Sequence, residues 1–199
     1  MKKTTIKLDL NGPLKDSQRA LAEFCSKRSN VAAMQDVAHT LAAAFQRGNK
    51  VLACGNGGSS CDAAHFAEEF VVKLRKDRRA LPAIALTESS YLLAAANDYG
   101  FDRVFERGVE AFGVPGDMLV AISTSGDSPN IIRAVRAARR RRMVTVGLLG
   151  RGGGKMKGMC DFEIVAPGRT SDRIQEVHMA VLHVIIEGVE RLLFPENYR

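Results

Sequence analysis

Apolar residues recur at helical spacing across residues 14–47, at Leu21, Phe24, Val31, Met34, Val37, Leu41 and Phe45, and Gly48 closes the pattern. Ser29-Asn30 interrupts it, which predicts two helices ahead of the first strand, an arm for packing or oligomerisation. Beyond Gly48 the period changes. Short apolar runs at 50–54, 82–86, 118–123, 144–149 and 162–166 predict five strands, most of them apolar enough to be buried on both faces. Helical patterns at 61–74, 89–96, 102–112, 130–142 and 171–193 fill the intervals. Strand-helix alternation predicts an α/β fold: a parallel five-stranded sheet flanked by helices, with ligands where strand C-terminal ends meet helix N-termini. With no repeat, low-complexity tract or Pro-rich linker in 199 residues, one domain is expected, a helical arm over 1–48 and an α/β core over 49–199.

Composition narrows the class. Hydrophobic residues at 46% and charged residues at 26% exclude wholesale disorder and collagen-like structure. Lys and Arg number 29 against 22 Asp and Glu, a surplus of +7 that admits nucleic acid, acidic membrane surface or anionic small molecules as partners. No helix-turn-helix signature or zinc finger occurs and aromatics are few, so direct nucleic-acid binding is not expected. No apolar run is long enough to span a membrane, and the start, MKKTTIKLDLNG, is too polar for a signal peptide, so a cytoplasmic protein is expected. The four cysteines form no CxxC. Buried free thiols are expected at Cys25, Cys54 and Cys160, and nothing around Cys61 marks it as a nucleophile. Much of the basic surplus lies in two runs, 73–79 and 139–142. The second ends a helix whose other face is Ile131, Ile132, Val135 and Ala138, a solvated end that compensates the macrodipole.

Two strand-to-helix turns carry candidate chemistry. Gly55-Asn56-Gly57-Gly58-Ser59-Ser60 follows the first strand, and Ser123-Thr124-Ser125-Gly126-Asp127-Ser128 follows the third. Glycines let backbone N–H groups approach a ligand, hydroxyls add donors, and a helix N-terminus favours negative charge, so each turn suits a phosphate or sugar oxygen. Either one alone is equally well read as a helix cap; two at equivalent places in one sheet shift the balance toward an anion site. Neither has the dinucleotide or P-loop spacing, so no nucleotide cofactor is expected. On the next helix His65 and Glu69 stand at i and i+4, one face within reach of one metal or one substrate, although such a pair taken alone is more often a surface contact. Gln175 and His183 lie about two turns apart on the last helix with an offset of roughly 80°, compatible with one pocket, while His178 lies off that face and reads as structural. His39 reads as a packed or surface histidine. Asn97-Asp98-Tyr99-Gly100 is either a plain turn or a polar loop at the site.

At these residues the chain resembles the sugar isomerase (SIS) fold and, within it, the sedoheptulose-7-phosphate isomerases. The resemblance runs through CGNGGS at 54–59, HFAEE at 65–69, NDYGF at 97–101, STSG at 123–126, GGGKM at 152–156 and RIQEVH at 173–178, followed by His183. It implies a flavodoxin-like three-layer sandwich and interconversion of sedoheptulose 7-phosphate with D-glycero-D-manno-heptose 7-phosphate through an enediol, the first step toward the activated heptose of bacterial surface polysaccharides. It further implies Glu69 as base with His183 as acid, and zinc on His65, Glu69, Gln175 and His183. Phosphate would be held by Ser123, Thr124, Ser125 and Ser128, the sugar by Asn56, Gly57, Ser59, Asp98, Asp172 and Gln175, in a homotetramer with sites at subunit boundaries. The basic run at 73–79 would help attract the anionic substrate. Lys73 departs from the family's arginine, Ala96 from its glycine, and the Leu193-Phe194-Pro195 tail is more typical of a paralogue that binds the replication initiator DnaA. That paralogue, a non-catalytic scaffold, and a sugar-phosphate sensor are the alternative readings. The paralogue lacks the pair matching Glu69 and His183, which this chain keeps.

Overall fold

Along the first strand, β1 (Val51–Gly55), alternate side chains enter different cores: Val51 and Ala53 join one apolar cluster, Leu52 and Cys54 the other. The same sorting in β3 (Met118–Ser123) sends Met118, Val120 and Ile122 one way and Leu119 and Ala121 the other. Strands buried on both faces need helices on both faces, and the chain supplies them. The computed structural model describes residues 8–199. The first seven, which hold much of the polar start weighed above as a signal peptide, lie outside the described residues.

The sheet has the order β2-β1-β3-β4-β5 and is parallel throughout, with β2 at Ala83–Ala85, β4 at Val144–Gly150 and β5 at Phe162–Ala166. One face carries α1 (Asn11–Ser26), α2 (Arg28–Gln46), α3 (Gly58–Val71) and α7 (Ser171–Leu193); the other carries α4 (Ser89–Tyr99), α5 (Val104–Phe112) and α6 (Pro129–Arg140). The order reverses between β1 and β3, so the connections leaving those two strands diverge and open a crevice above their C-terminal ends. Both Ser- and Gly-rich turns stand at that crevice. The arm helix α1 buries Ala20 and Phe24, packs on α7, and leaves Leu14 and Leu21 exposed.

The five strands and the α/β class are as expected; several boundaries move. The arm breaks at Lys27, whose extended backbone (ψ 108°) ends α1, rather than at Ser29-Asn30; Asn30 instead donates its amide to the Phe24 carbonyl across the joint. Helix α3 begins at Gly58, because Gly57 at φ 54° turns the chain sharply. Asn97 and Asp98 form the last turn of α4, which Gly100 (φ 87°) stops. Cys54 is buried and Cys160 half-buried, whereas Cys25 is exposed, since α1 turns Ala20 and Phe24 inward instead. Among the described residues no helix is long and apolar enough to cross a membrane.

Candidate active site

The two turns are built together. The Asn56 amide pairs reciprocally with that of buried Asn130 in the first turn of α6, at 2.9 and 2.8 Å. In the second turn the Ser123 hydroxyl accepts from the Gly126 N–H at 3.1 Å and lies 3.3 Å from the Ser128 hydroxyl, while Ser125 accepts from the Asp127 N–H. Gly126 (φ 68°) has no room for a side chain, because a Cβ there would collide with the Gly153 carbonyl. The loop after β4 thus props the turn, with the Met156 N–H donating to the Gly126 carbonyl and the Lys155 N–H to Asp127. Thr124 donates to Ser171 at the start of α7 at 3.2 Å.

Across α3 and α7, His65 and His183 meet with their Nε2 atoms 2.8 Å apart and their rings nearly perpendicular, at 87°. The Glu69 Oε1 lies 3.6 Å from His65 Nε2, and candidate ligand atoms of the three half-buried residues all fall within 4.8 Å of one another. Glu68, not among the candidate residues above, has its Oε1 3.0 Å from His65 Nδ1; the i+3 spacing within HFAEE is its signal in the sequence. A carboxylate that takes the Nδ1–H leaves Nε2 as a lone pair aimed at His183. Two imidazoles and a carboxylate in that arrangement are the donor set of catalytic zinc sites, so these residues fit a divalent cation. Gln175 lies two turns before His183, donates to the buried Ser59 hydroxyl at 3.4 Å, and covers Gly58, where a Cβ would come within 2.6 Å of its amide.

Other candidates stand apart from this cluster. Asp98 lies on α4, across the sheet, and accepts from the Asn97 amide. Asp172 is exposed in the first turn of α7, held below the usual carboxylate range by the Thr170 hydroxyl and by Arg173. His178 is fully buried, with Nε2 donating to the Leu149 carbonyl at 2.9 Å and Nδ1 lacking a partner; burial pushes it down to about 4. Asp62, one turn before His65, is buried with one carboxylate oxygen unpartnered, and burial pushes it up to about 6. His39 is exposed and Lys73 is 4.0 Å from Asp77.

The basic runs are largely committed to the fold. Arg78, counted above among the residues that attract an anion, is wholly buried against Glu190. Arg140 reaches Glu106, and Arg139 the Met159 carbonyl. A cavity of about 940 Å³ between α1 and the loop from β5 to α7 is lined by Arg151, Arg169 and Arg173, and by none of His65, Glu69 and His183. His65, Glu69 and His183 meet instead between α3 and α7.

A family model described as the SIS domain matches residues 15–150. A phosphoheptose isomerase of Fusobacterium nucleatum is 54% identical over 191 residues, covering 96% of this chain and 98% of that protein. Among solved structures, a phosphoheptose isomerase from Neisseria gonorrhoeae superposes with a TM-score of 0.85 at 39% identity, covering 91% of this chain and 96% of that one. Another from Francisella tularensis gives 0.87 at 33% identity, covering 92% and 96%.

Proposed function

The chain belongs to the phosphoheptose isomerases of the SIS-domain family, and we propose that it interconverts sedoheptulose 7-phosphate and D-glycero-D-manno-heptose 7-phosphate with Glu69 as base and His183 as acid. The observation that carries this reading is the convergence of Glu69 and His183, with His65, from the two helices α3 and α7. A scaffold or sensor needs no such pair.

Moving a carbonyl from C2 to C1 requires removing a proton from C1, forming an enediol, and delivering a proton to C2. Glu69 has two oxygens. Oε1 faces His65, and the second is free to take the C1 proton and return it to C2. His183 turns Nε2 toward His65, which leaves Nδ1 to take the proton of the C1 hydroxyl and pass it to the oxygen on C2 as the enediol forms. His65 holds its tautomer through Glu68. Zinc held by His65, Glu69, Gln175 and His183 would polarise the carbonyl when bound.

The turn of Ser123, Thr124, Ser125 and Ser128 with the α6 N-terminus takes the phosphate, and Gly57, Ser59 and Gln175 face the sugar at the start of α3. The Asn56 side chain is engaged by Asn130, so it serves the sugar by fixing its turn. Asp98, on α4, and Asp172, exposed in the first turn of α7, are assigned to the sugar from the resemblance. We take the chain as one SIS domain, with arm 1–48 and core 49–199, assembling as a cytoplasmic homotetramer. Leu14 and Leu21, exposed on the arm, supply apolar surface for that assembly. Its product feeds activated heptose for bacterial surface polysaccharide.

Purified protein incubated with sedoheptulose 7-phosphate, with Glu69→Gln and His183→Ala beside it, tests the reading. Aldose should form with the wild type and fall at least a hundredfold in both variants. Equal inactivity of all three with and without zinc, together with binding to the replication initiator, would sink it.

A further inference from the structure

Helix α3 carries Glu69 two residues before its end, where the last carbonyls have no partner within the helix. Arg78 supplies it. Its Nη2 donates to the Glu69 carbonyl at 2.7 Å, and its Nη1 to the Phe70 carbonyl at 2.7 Å and the Arg79 carbonyl at 3.1 Å. Its Nε donates to Glu190 Oε1 at 2.7 Å, and the same oxygen accepts from the Leu74 N–H at 3.2 Å. The other Glu190 oxygen accepts from the Tyr198 hydroxyl at 2.7 Å. Phe194 lies under the guanidinium, 5.9 Å from its carbon. The Arg78 and Glu190 side chains are 0% and 2% exposed, so the ion pair is sealed from water.

Glu190 follows His183 by seven residues, two turns along α7. The two helices that bring together the acid and the base are therefore tied twice: at the site by His65 and His183, and about 10 Å farther along α7 by Arg78 and Glu190. We propose that Arg78, backed by Glu190 and Tyr198, is a positioning residue of the isomerase reaction, holding the end of α3 so that the Glu69 carboxylate keeps its place opposite His183. The inference rests on the assignment of Glu69 as base. A guanidinium suits the task because its planar fork reaches two carbonyls and a carboxylate at once, which an ammonium does not. A pair kept for stability alone would, when replaced by apolar side chains of similar volume, change stability and leave the turnover of the folded protein as it was.

That difference sets the experiment, done on the full-length, zinc-loaded protein. In the double variant Arg78→Met with Glu190→Met, the melting temperature should fall, because the Glu69 and Phe70 carbonyls lose their donor, but in protein assayed well below that temperature KM should stay within about twofold while kcat falls roughly tenfold or more as the base loses its alignment. Arg78→Lys, which keeps the charge but not the fork, should show the same split. Wild-type kcat in either folded variant overturns the proposal. Should neither fold, Tyr198→Phe decides: kcat lowered about two- to threefold at unchanged KM supports it, and unchanged kcat overturns it. Glu69→Gln runs alongside. If wild type shows no turnover, or Glu69→Gln turns over as wild type does, the assignment of the base has failed rather than the clamp.

Discussion

His65 and Glu68 form a fixed unit on α3: the carboxylate 3.0 Å from Nδ1 settles which imidazole nitrogen is left with a lone pair, and that nitrogen faces His183. Acting through His65, Glu68 decides whether the site presents an acceptor or a donor.

Glu68→Gln should therefore weaken zinc binding roughly ten- to hundredfold. Metal content after dialysis against a graded chelator series measures this directly. Turnover of the variant should recover when zinc is added in excess, because the base and the acid remain.

Gly126→Ala places a methyl against the Gly153 carbonyl at a residue with φ 68°. Relief of the collision must distort the turn at 123–128 or the loop after β4. A loss of about 1–3 kcal/mol in stability and a marked rise in KM for the phosphosugar are expected. Denaturant titration and initial rates read the two effects separately, and unchanged KM would show that the turn does not hold the substrate.

Asn130→Ala removes one half of the buried amide pair and leaves the Asn56 groups without their partner. The expected cost is about 1–3 kcal/mol. KM should rise as well, since the β1–α3 turn loses its tether; urea unfolding and steady-state kinetics check both.

His178 is held neutral in the folded state, at about 4 against 6.5 for the free group. Between those values the unfolded chain binds more protons, so this residue's contribution to stability is complete above pH 6.5 and is lost as the pH falls toward 4. The loss is on the order of 3 kcal/mol. Asp62, raised to about 6 by burial, acts in the opposite sense between about 4 and 6. The informative quantity is the stability of wild type minus that of His178→Gln, in which Asp62 cancels. It should fall on acidification from pH 7 to 4.5, measured by denaturant unfolding.

The strands and the two turns were legible because their signals are local: apolar runs bounded by Gly, Ser and Pro, and glycines where the chain must turn. His65, Glu69 and His183, which the structure brings together, were legible as a set only through the resemblance, since 118 residues separate the two histidines that touch. Three features escaped. Glu68 was passed over beside Glu69, although its i+3 spacing from His65 was visible. Arg78 was counted in a charged run, and only its burial against Glu190, 112 residues away, shows that it serves α3. The Asn56 amide was assigned to a sugar, while its partner Asn130 comes from a different turn 74 residues on. For Arg78 and Asn56 the missing information was a long-range side-chain partner, which periodicity does not encode.

The Asn56–Asn130 pair has a thermodynamic meaning for the crevice. The turns flanking the switch point are already joined before any ligand arrives, so their separation is a property of the empty protein. Substrate that spans them spends none of its interaction energy on drawing the two sides together, and what would have gone into ordering them is left to favour the enediol.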